Sequence, residues 1–231
     1  LAQPRREHPL LGIRDGEDAR SWTAWLDTDL HPWLADHRLL GEAVLPAAGM
    51  AEMALAAAAA RFPEAEVLEV SDLVILRPLA LEPDRTREVR ATAEEEGGFT
   101  LESRRRLAEE PWSLSARARI AALPRLPGVT EPAAAGRRHV PGAEVIALAA
   151  RCGLDYGPAF RPVAEVQADD TQARAHVALR LPDAAPPPNG FILHPVLLDG
   201  ALQGLIALLS ALVRPEGQSL VPVRIGRLAA R

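Results

Sequence analysis

The chain has 231 residues, of which 48% are hydrophobic and 25% are charged, as is ordinary for a globular protein with a substantial core. Its formal net charge of −5 gives no reason to expect nucleic acid or an anionic membrane as a partner. The single cysteine, Cys152, excludes an internal disulfide and a thiolate metal cluster, and no apolar run approaches the ~20 residues of a membrane span.

The first half of the chain predicts one helix in a setting of strands. Residues 22–27 and the region around His31 have a short strand-like character. Ala47–Arg61 is so rich in Ala, Met, Leu and Glu that it predicts a helix. Pro46 suits the start of that helix, because a missing N–H costs nothing there. Alternating apolar and polar residues then predict strands at 67–76, 87–94, 98–106 and 112–121.

Residues 123–142 hold four Pro and three Gly, and this composition predicts an interdomain linker or a long surface loop. The second half then repeats the order of the first. A short helix is predicted at 143–151, strands at 164–167 and 173–180, a Pro-rich turn at 184–189, and a long apolar helix from Pro195 to about residue 213.

A lone helix that is apolar nearly all round has to be wrapped by other elements, and a curved antiparallel sheet does this. We therefore predict an α+β fold, a double hotdog, in which two curved sheets each surround a long apolar helix. The first unit is assigned to residues 1–122 and the second to residues 143–231, with 123–142 as the linker.

Two short motifs offer candidate catalytic groups. The first reads H-x-x-x-G-x-x-x-x-P and comprises His37, Gly41 and Pro46. The second reads H-P-x-x-x-D-x-x-x-Q and includes Asp199 and Gln203. One imidazole and one carboxyl group are the minimum needed to remove a proton from one carbon and a hydroxide from the next.

With these motifs, the chain resembles the dehydratase domains of modular type I polyketide synthases over nearly its whole length. His8-Pro-Leu-Leu-Gly12 matches the usual opening of that family, and Tyr156-Gly157-Pro158 matches its Y-G-P element. Leu220–Val223 stands where the family has an L-P-F-x-W-like segment, but without the aromatic residues. The family usually continues beyond the position of Arg231, so we expect the second unit to be incomplete at its C-terminal end.

The resemblance implies that a β-hydroxyacyl thioester loses water to give an α,β-unsaturated thioester. We assign His37 as the base, because a neutral imidazole suits that task near neutral pH. Asp199 is the candidate acid, which requires an apolar site that raises its pKa. Gln203 lies one helical turn beyond Asp199 and can fix its rotamer by a hydrogen bond.

The remaining residues of the motifs receive supporting roles. The Tyr156 hydroxyl can orient Asp199 or hold the departing oxygen, and Gly157 and Pro158 shape the turn beside it. The developing enolate needs hydrogen-bond donors, which we expect from backbone N–H groups near Gly41 or at the start of the helix that follows Pro46.

The resemblance also implies the setting of the reaction. The substrate would arrive on the phosphopantetheine arm of an acyl carrier protein, with no bound cofactor or metal. Other domains of the same synthase, and a second copy of the chain in a homodimer, are the expected partners. We expect no nucleic acid or membrane partner and a cytoplasmic location.

Three alternatives remain open from the sequence. The same His37 and Asp199 pair can also shift a double bond from α,β to β,γ, or close an oxygen ring. A non-catalytic module could bind the acyl chain or hold the dimer together. A metal site could use His31, Asp36, His37, His194 and Asp199, although the tight spacing of common zinc motifs is absent.

Overall fold

The computed structural model describes residues 6–16, 19–128, 138–171, 173–210 and 221–231. Three α-helices lie in these ranges: α1 (Ala47–Arg61), α2 (Gly142–Arg151) and α3 (Pro195–Leu209). None of the three has the length and apolarity that a membrane crossing requires. The bounds of α1 are those predicted. The predicted continuation of α3 towards residue 213 enters 211–220, which lies outside the described residues.

Fourteen strands accompany these helices in the described ranges. In chain order they are β1 (Arg6–His8), β2 (Gly12–Arg14), β3 (Ser21–Leu26), β4 (His37–Leu39), β5 (Glu42–Ala43), β6 (Val67–Ile75), β7 (Arg87–Ala93), β8 (Gly98–Arg105), β9 (Ser113–Leu123), β10 (Arg138–Pro141), β11 (Leu154–Tyr156), β12 (Val163–Asp169), β13 (Arg174–Leu179) and β14 (Arg224–Ala230).

The strands form three antiparallel sheets. The largest has eight strands in the order β1-β2-β3-β7-β8-β9-β6-β14. A second sheet is β10-β12-β13, and a third is β11-β4-β5. The middle strands of the large sheet alternate buried and partly buried residues, as in β8, so one face of that sheet packs on the core.

Helix α1 packs against β6, β7 and β9 of the large sheet. Every residue from Ala47 to Ala58 is buried, because the sheet covers one side of the helix and α3 another. Helix α3 lies against β12 and β13 of the second sheet and against α2. The predicted double hotdog is confirmed: each of the two long apolar helices is enclosed by curved antiparallel strands.

Two local predictions differ from the structure. The region around His31 forms a turn and a 3₁₀ helix, Pro32–Asp36, in place of a strand. The turn is favoured because the Asp27 carboxylate accepts hydrogen bonds from the N–H groups of Asp29 and Leu30. The range predicted as a linker, 123–142, contains the end of β9 and all of β10, which pairs with β12. The part at 129–137 lies outside the described residues.

The last described strand, β14, pairs with β6 of the large sheet, whose residues come from the first half of the chain. Strand β11 likewise pairs with β4, so the two halves share backbone hydrogen bonds at two places. The division into units at 1–122 and 143–231 stays a prediction. Of the predicted Leu220–Val223 segment, Leu220 lies outside the described residues.

Candidate active site

His37 and Asp199 face each other in the interior of the molecule. His37 opens β4 and Asp199 lies in the second turn of α3, and both residues are buried. The His37 Nε2 atom lies 3.7 Å from the Asp199 Oδ1 atom. This separation exceeds the roughly 2.7–3.2 Å usual for a hydrogen bond, so the two groups are close without being directly bonded. An imidazole and a carboxyl group are thus brought together inside the molecule.

The tautomer of His37 follows from the hydrogen bond that its Nδ1 atom makes. His37 Nδ1 lies 3.0 Å from the carbonyl oxygen of Val44, which can only accept a hydrogen bond. Nδ1 must therefore carry the hydrogen and donate it. In the neutral ring, the lone pair is then on Nε2, the atom that faces Asp199. The imidazole is held as a base directed at the carboxyl group.

The carboxyl group of Asp199 has two different environments. Gln203 Nε2 donates to Asp199 Oδ2 at 3.0 Å and to the carbonyl oxygen of Phe160, also at 3.0 Å. Oδ2 is therefore an acceptor, which leaves Oδ1 as the oxygen that can carry a proton. Burial raises the pKa of Asp199, and the neighbouring His37 and the hydrogen bond from Gln203 oppose that rise. The apolar setting that the sequence predicted for this acid is present.

Tyr156 joins the pair through the sheet. It lies opposite His37 in the pairing of β11 with β4, and the two ring centroids are 5.6 Å apart. Burial, and then the negative charge of Asp199, raise the pKa of the Tyr156 phenol. The hydroxyl therefore stays protonated over the working pH range and can donate a hydrogen bond within the site.

The turn that contains Gly157 and Pro158 is hydrogen-bonded to Asp36, the residue that precedes His37. The Gly157 N–H donates to the Asp36 carbonyl oxygen at 2.8 Å, and the N–H of Ala159 donates to the Asp36 carboxylate at 2.8 Å. A side chain at Gly157 would overlap that carboxylate, which explains why glycine is needed here. Pro158 begins the 3₁₀ helix Pro158–Phe160. Neither residue lines the cavity described below.

A cavity of about 420 Å³ contains the facing groups. Its inner wall consists of buried residues, among them His37, Asp199 and Tyr156, together with Pro46 and Ala47 at the start of α1. The remaining wall is mainly aliphatic. Its lining residues are Leu39, Val44, Leu45, Met50, Ile75, Leu76, Arg77, Pro78, Leu154, Leu202, Leu205, Ile206, Leu209, Val221, Pro222 and Val223.

The solvent-exposed lining residues mark the mouth of this cavity. Leu76, Leu205 and Val223 are 44%, 50% and 63% exposed, and Arg77 and Pro78 are exposed beside them. Arg77 is the permanent cation among the lining residues. Within the described ranges, no carboxylate lies within 4 Å of its guanidinium group. The cavity is thus apolar along its length, with an acid–base pair inside and a positive charge at the opening.

Gly41 is a predicted site residue that neither lines the cavity nor contacts the residues that position the acid–base pair. It lies in the exposed turn between β4 and β5 with a φ of 85°, a left-handed conformation that favours glycine. Its expected role as a donor to the substrate is therefore not supported by its position. Pro46 is the N-terminal capping residue of α1 and lines the inner wall, so the start of that helix remains as the source of backbone donors.

The five residues of the alternative metal site are not gathered as ligands. The Asp36 carboxylate accepts the N–H of Ala159, and His194 Nδ1 accepts the N–H of Val196 at the start of α3. Over the described ranges, no group of three or more His, Cys, Asp or Glu side chains could hold a metal ion.

Sequence reasoning missed the roles of three groups: the Val44 carbonyl, Asp36 and Arg77. The Val44 carbonyl sets the tautomer of His37, Asp36 anchors the Y-G-P turn, and Arg77 stands at the mouth. In the sequence, the position of Asp36 directly before His37 could have suggested that its carboxylate helps to hold the site together. A backbone carbonyl carries no sequence signal, and the place of Arg77 depends on the fold.

Comparisons with known proteins agree with this arrangement. The sequence model described as "Polyketide synthase dehydratase domain" matches residues 8–108, and the one described as "Polyketide synthase dehydratase N-terminal domain" matches residues 124–231. A phenolphthiocerol/phthiocerol polyketide synthase of Mycobacterium tuberculosis is 32% identical over 227 residues, which is 91% of this chain. The match spans 12% of that protein's length.

Two solved structures extend the similarity to the fold. The dehydratase domain of PpsC from Mycobacterium tuberculosis, solved in complex with C12:1-CoA, is 31% identical with a TM-score of 0.74. That match covers 96% of this chain and 81% of that one. The dehydratase domain of a mycocerosic acid synthase-like polyketide synthase is 26% identical with a TM-score of 0.78, and the match covers 98% and 81% of the two chains.

Proposed function

The chain belongs to the family of polyketide synthase dehydratase domains, which are hydro-lyases that act on β-hydroxyacyl thioesters. On that premise, we propose that His37 is the catalytic base of this chain and that Asp199 is its catalytic acid. The observation that carries this assignment is the 3.7 Å separation between His37 Nε2 and Asp199 Oδ1 inside an apolar cavity. One group has a free lone pair there, and the other can hold a proton.

In the proposed reaction, His37 Nε2 removes the proton from the α-carbon of the thioester. Asp199 Oδ1 delivers its proton to the β-hydroxyl group, so the C–O bond breaks as water leaves and the C=C bond forms. His37 then carries a positive charge and Asp199 a negative one. Their attraction stabilises this state in the buried site. Transfer of one proton from the imidazolium to the carboxylate, with the product water as a relay, restores the starting state.

The thioester carbonyl becomes negatively charged as the α-proton leaves, so it needs donors. The first N–H groups of an α-helix have no acceptor within the helix, and the helix dipole favours negative charge at that end. Ala47 begins α1 and lines the inner wall of the cavity. We assign the N–H groups at the start of α1 to the thioester oxygen. The Tyr156 hydroxyl is assigned to the departing β-oxygen.

The direct test is incubation of the protein with a β-hydroxyacyl pantetheine thioester, followed by intact mass measurement and NMR of the product. We expect a mass loss of one water and an α,β double bond, unchanged by EDTA. Unchanged substrate mass would refute dehydration. A β,γ double bond or an oxygen ring in the product would show that His37 and Asp199 also shift the double bond or close the ring. Activity lost on chelation and restored by a divalent ion would favour a metal site.

We further propose that the substrate arrives on the phosphopantetheine arm of an acyl carrier protein, within a homodimeric cytoplasmic synthase. An apolar wall suits an acyl chain, and a buried reaction site requires a carrier arm that reaches inside. Arg77 at the mouth then lies where the phosphate of the arm would rest, because guanidinium groups bind phosphate in a bidentate manner.

Replacing Arg77 by alanine is therefore expected to weaken the use of phosphorylated substrates. The kcat/KM for a phosphopantetheine thioester should fall at least about tenfold through KM, since a hydrogen bond to a charged group contributes about 1.5–3 kcal/mol and about 1.4 kcal/mol is a factor of ten. The kcat/KM for the matching thioester without phosphate should stay the same.

Arg117→Ala is the matched control for this prediction. Arg117 is an exposed arginine on β9 that also lacks a carboxylate within 4 Å in the described ranges, but it does not line the cavity. Equal losses for both thioesters, or an equal effect of Arg117→Ala, would contradict a phosphate contact at Arg77.

A further inference from the structure

Glu52 is a completely buried carboxylate that the proposed reaction does not use. It lies in the middle of α1, and its exposed fraction is 0%. Glu52 Oε1 accepts hydrogen bonds from the N–H of Ile192 at 2.7 Å and from His8 Nε2 at 3.0 Å. Glu52 Oε2 accepts the N–H of Leu193 at 2.9 Å. A buried acid with three donors joins three distant segments of the chain.

The direction of the hydrogen bond from His8 follows from its other nitrogen. His8 Nδ1 accepts the N–H groups of Leu10 at 3.2 Å and Leu11 at 3.1 Å, so it carries no hydrogen. Nε2 must then hold the hydrogen and donate it to Glu52. The pair therefore consists of a neutral imidazole and a carboxylate, and all three bonds to Glu52 are of the charge-assisted kind.

These bonds set the position of α3. Ile192 and Leu193 lie just before His194, the N-terminal capping residue of α3, so Glu52 fixes the start of that helix against α1. Gln203 fixes the same helix further along, through the carbonyl oxygen of Phe160. Asp199 lies between these two attachment points.

The base is connected to the same helix α1. His37 Nδ1 donates to the carbonyl oxygen of Val44, which is two residues before Pro46, the capping residue of α1. A continuous path thus leads from His37 through α1 to Glu52, and from Glu52 through the start of α3 to Asp199. Every non-covalent step in it is a hydrogen bond of 2.7–3.0 Å.

We infer that Glu52 is a positioning residue that sets the separation between His37 Nε2 and Asp199 Oδ1. This inference rests on the proposed acid–base roles of those two residues. A misplacement of about 1 Å at a reacting centre can lower a rate about 10²-fold. A shift of α3 relative to α1 would produce such a misplacement, although Glu52 itself touches no substrate.

The test is Glu52→Gln. Glutamine has one acceptor oxygen, and its NH₂ group would face a backbone N–H that it cannot accept. We expect kcat to fall about 10- to 100-fold while KM changes by less than about threefold, because the wall of the cavity is kept and the apposition is lost. Glu52→Asp keeps the carboxylate on a shorter side chain and should recover part of the rate.

Met53→Ala is the matched control. Met53 is the next residue of α1, is 0% exposed and does not line the cavity, so its truncation should lower Tm and leave kcat unchanged below the transition. A merely structural role for Glu52 predicts this same pattern for Glu52→Gln, and that result would overturn the inference. If Glu52→Gln does not fold, His8→Phe is the alternative variant, because it removes one of the three hydrogen-bond donors to Glu52. We expect kcat to fall in His8→Phe as well, but by less than in Glu52→Gln. A wild-type kcat in His8→Phe would overturn the inference.

Crystal structures of the wild type and Glu52→Gln separate this inference from the proposed function. A wild type that releases no water would refute the function. Even then, the separation between His37 Nε2 and Asp199 Oδ1 in the two structures would show whether Glu52 controls that distance. We expect it to change in the variant from the 3.7 Å seen here, and an unchanged value would refute the role of Glu52.

Discussion

Asp199→Asn is expected to lower kcat for water loss by roughly 10²–10⁴-fold with little change in KM. The asparagine oxygen can still accept from Gln203 Nε2, and its NH₂ group can then face His37 Nε2, so the geometry of the site is kept. What is lost is the proton that leaves with the hydroxyl group. Single-turnover kinetics with a β-hydroxyacyl thioester measure this directly. Activity above about a tenth of the wild type would move the role of acid to Tyr156.

The same variant should be more stable than the wild type at high pH. Burial raises the pKa of Asp199, so the folded chain holds the proton more tightly than the unfolded chain does. The stability that this proton contributes is complete below the ordinary carboxyl pKa and is lost as the pH rises through the raised value. The difference in Tm between Asp199→Asn and the wild type should therefore be larger at about pH 8 than at about pH 5. The wild-type kcat should also fall as the pH rises through that raised pKa, since only the protonated carboxyl is an acid.

His37→Asn should give a loss of similar size, roughly 10²–10⁴-fold in kcat. Asparagine can place its NH₂ group near the position of His37 Nδ1 and keep the hydrogen bond to the Val44 carbonyl. It has no basic nitrogen near the position of Nε2, so the α-proton has no acceptor. Exchange of the α-proton of a saturated acyl thioester with D₂O, followed by NMR, reports on the base alone. Exchange at the wild-type rate in His37→Asn would exclude His37 as that base.

The two motifs identified the candidate groups, and the family resemblance implied that His37 and Asp199 act on one substrate; local spacing alone could not show that two segments so far apart would meet. Asp199 and Gln203 are four residues apart on a helix, so the hydrogen bond between them was predictable from the spacing alone. The catalytic roles of His37 and Asp199, and the support from Tyr156 and Gln203, stay predictions until variants are measured.

The expectation that backbone N–H groups near Gly41 lie in the site was not supported, and the reason is local geometry. The spacing H-x-x-x-G suggests proximity, but His37 opens a short strand, and the turn at Leu40-Gly41 directs Gly41 to the outside. Strand pairing between distant segments, such as β14 with β6, also left no local signal. Glu52 did leave one: it is the one acidic residue of α1, within a run in which all residues from Ala47 to Ala58 are buried. A buried acid in such a helix needs partners, and that argument could have been made from the sequence.

The pairing of β11 with β4 makes assembly of the site a late event in the life of each newly made chain. The ribosome releases His37 before Tyr156 and Asp199, which lie 119 and 162 residues further along the chain. At synthesis rates of roughly 5–20 residues per second, the interval is on the order of ten seconds. Until then β4 lacks its β11 neighbour and the base lacks its acid. A nascent synthase would therefore be unable to process a chain at this domain before translation had passed α3.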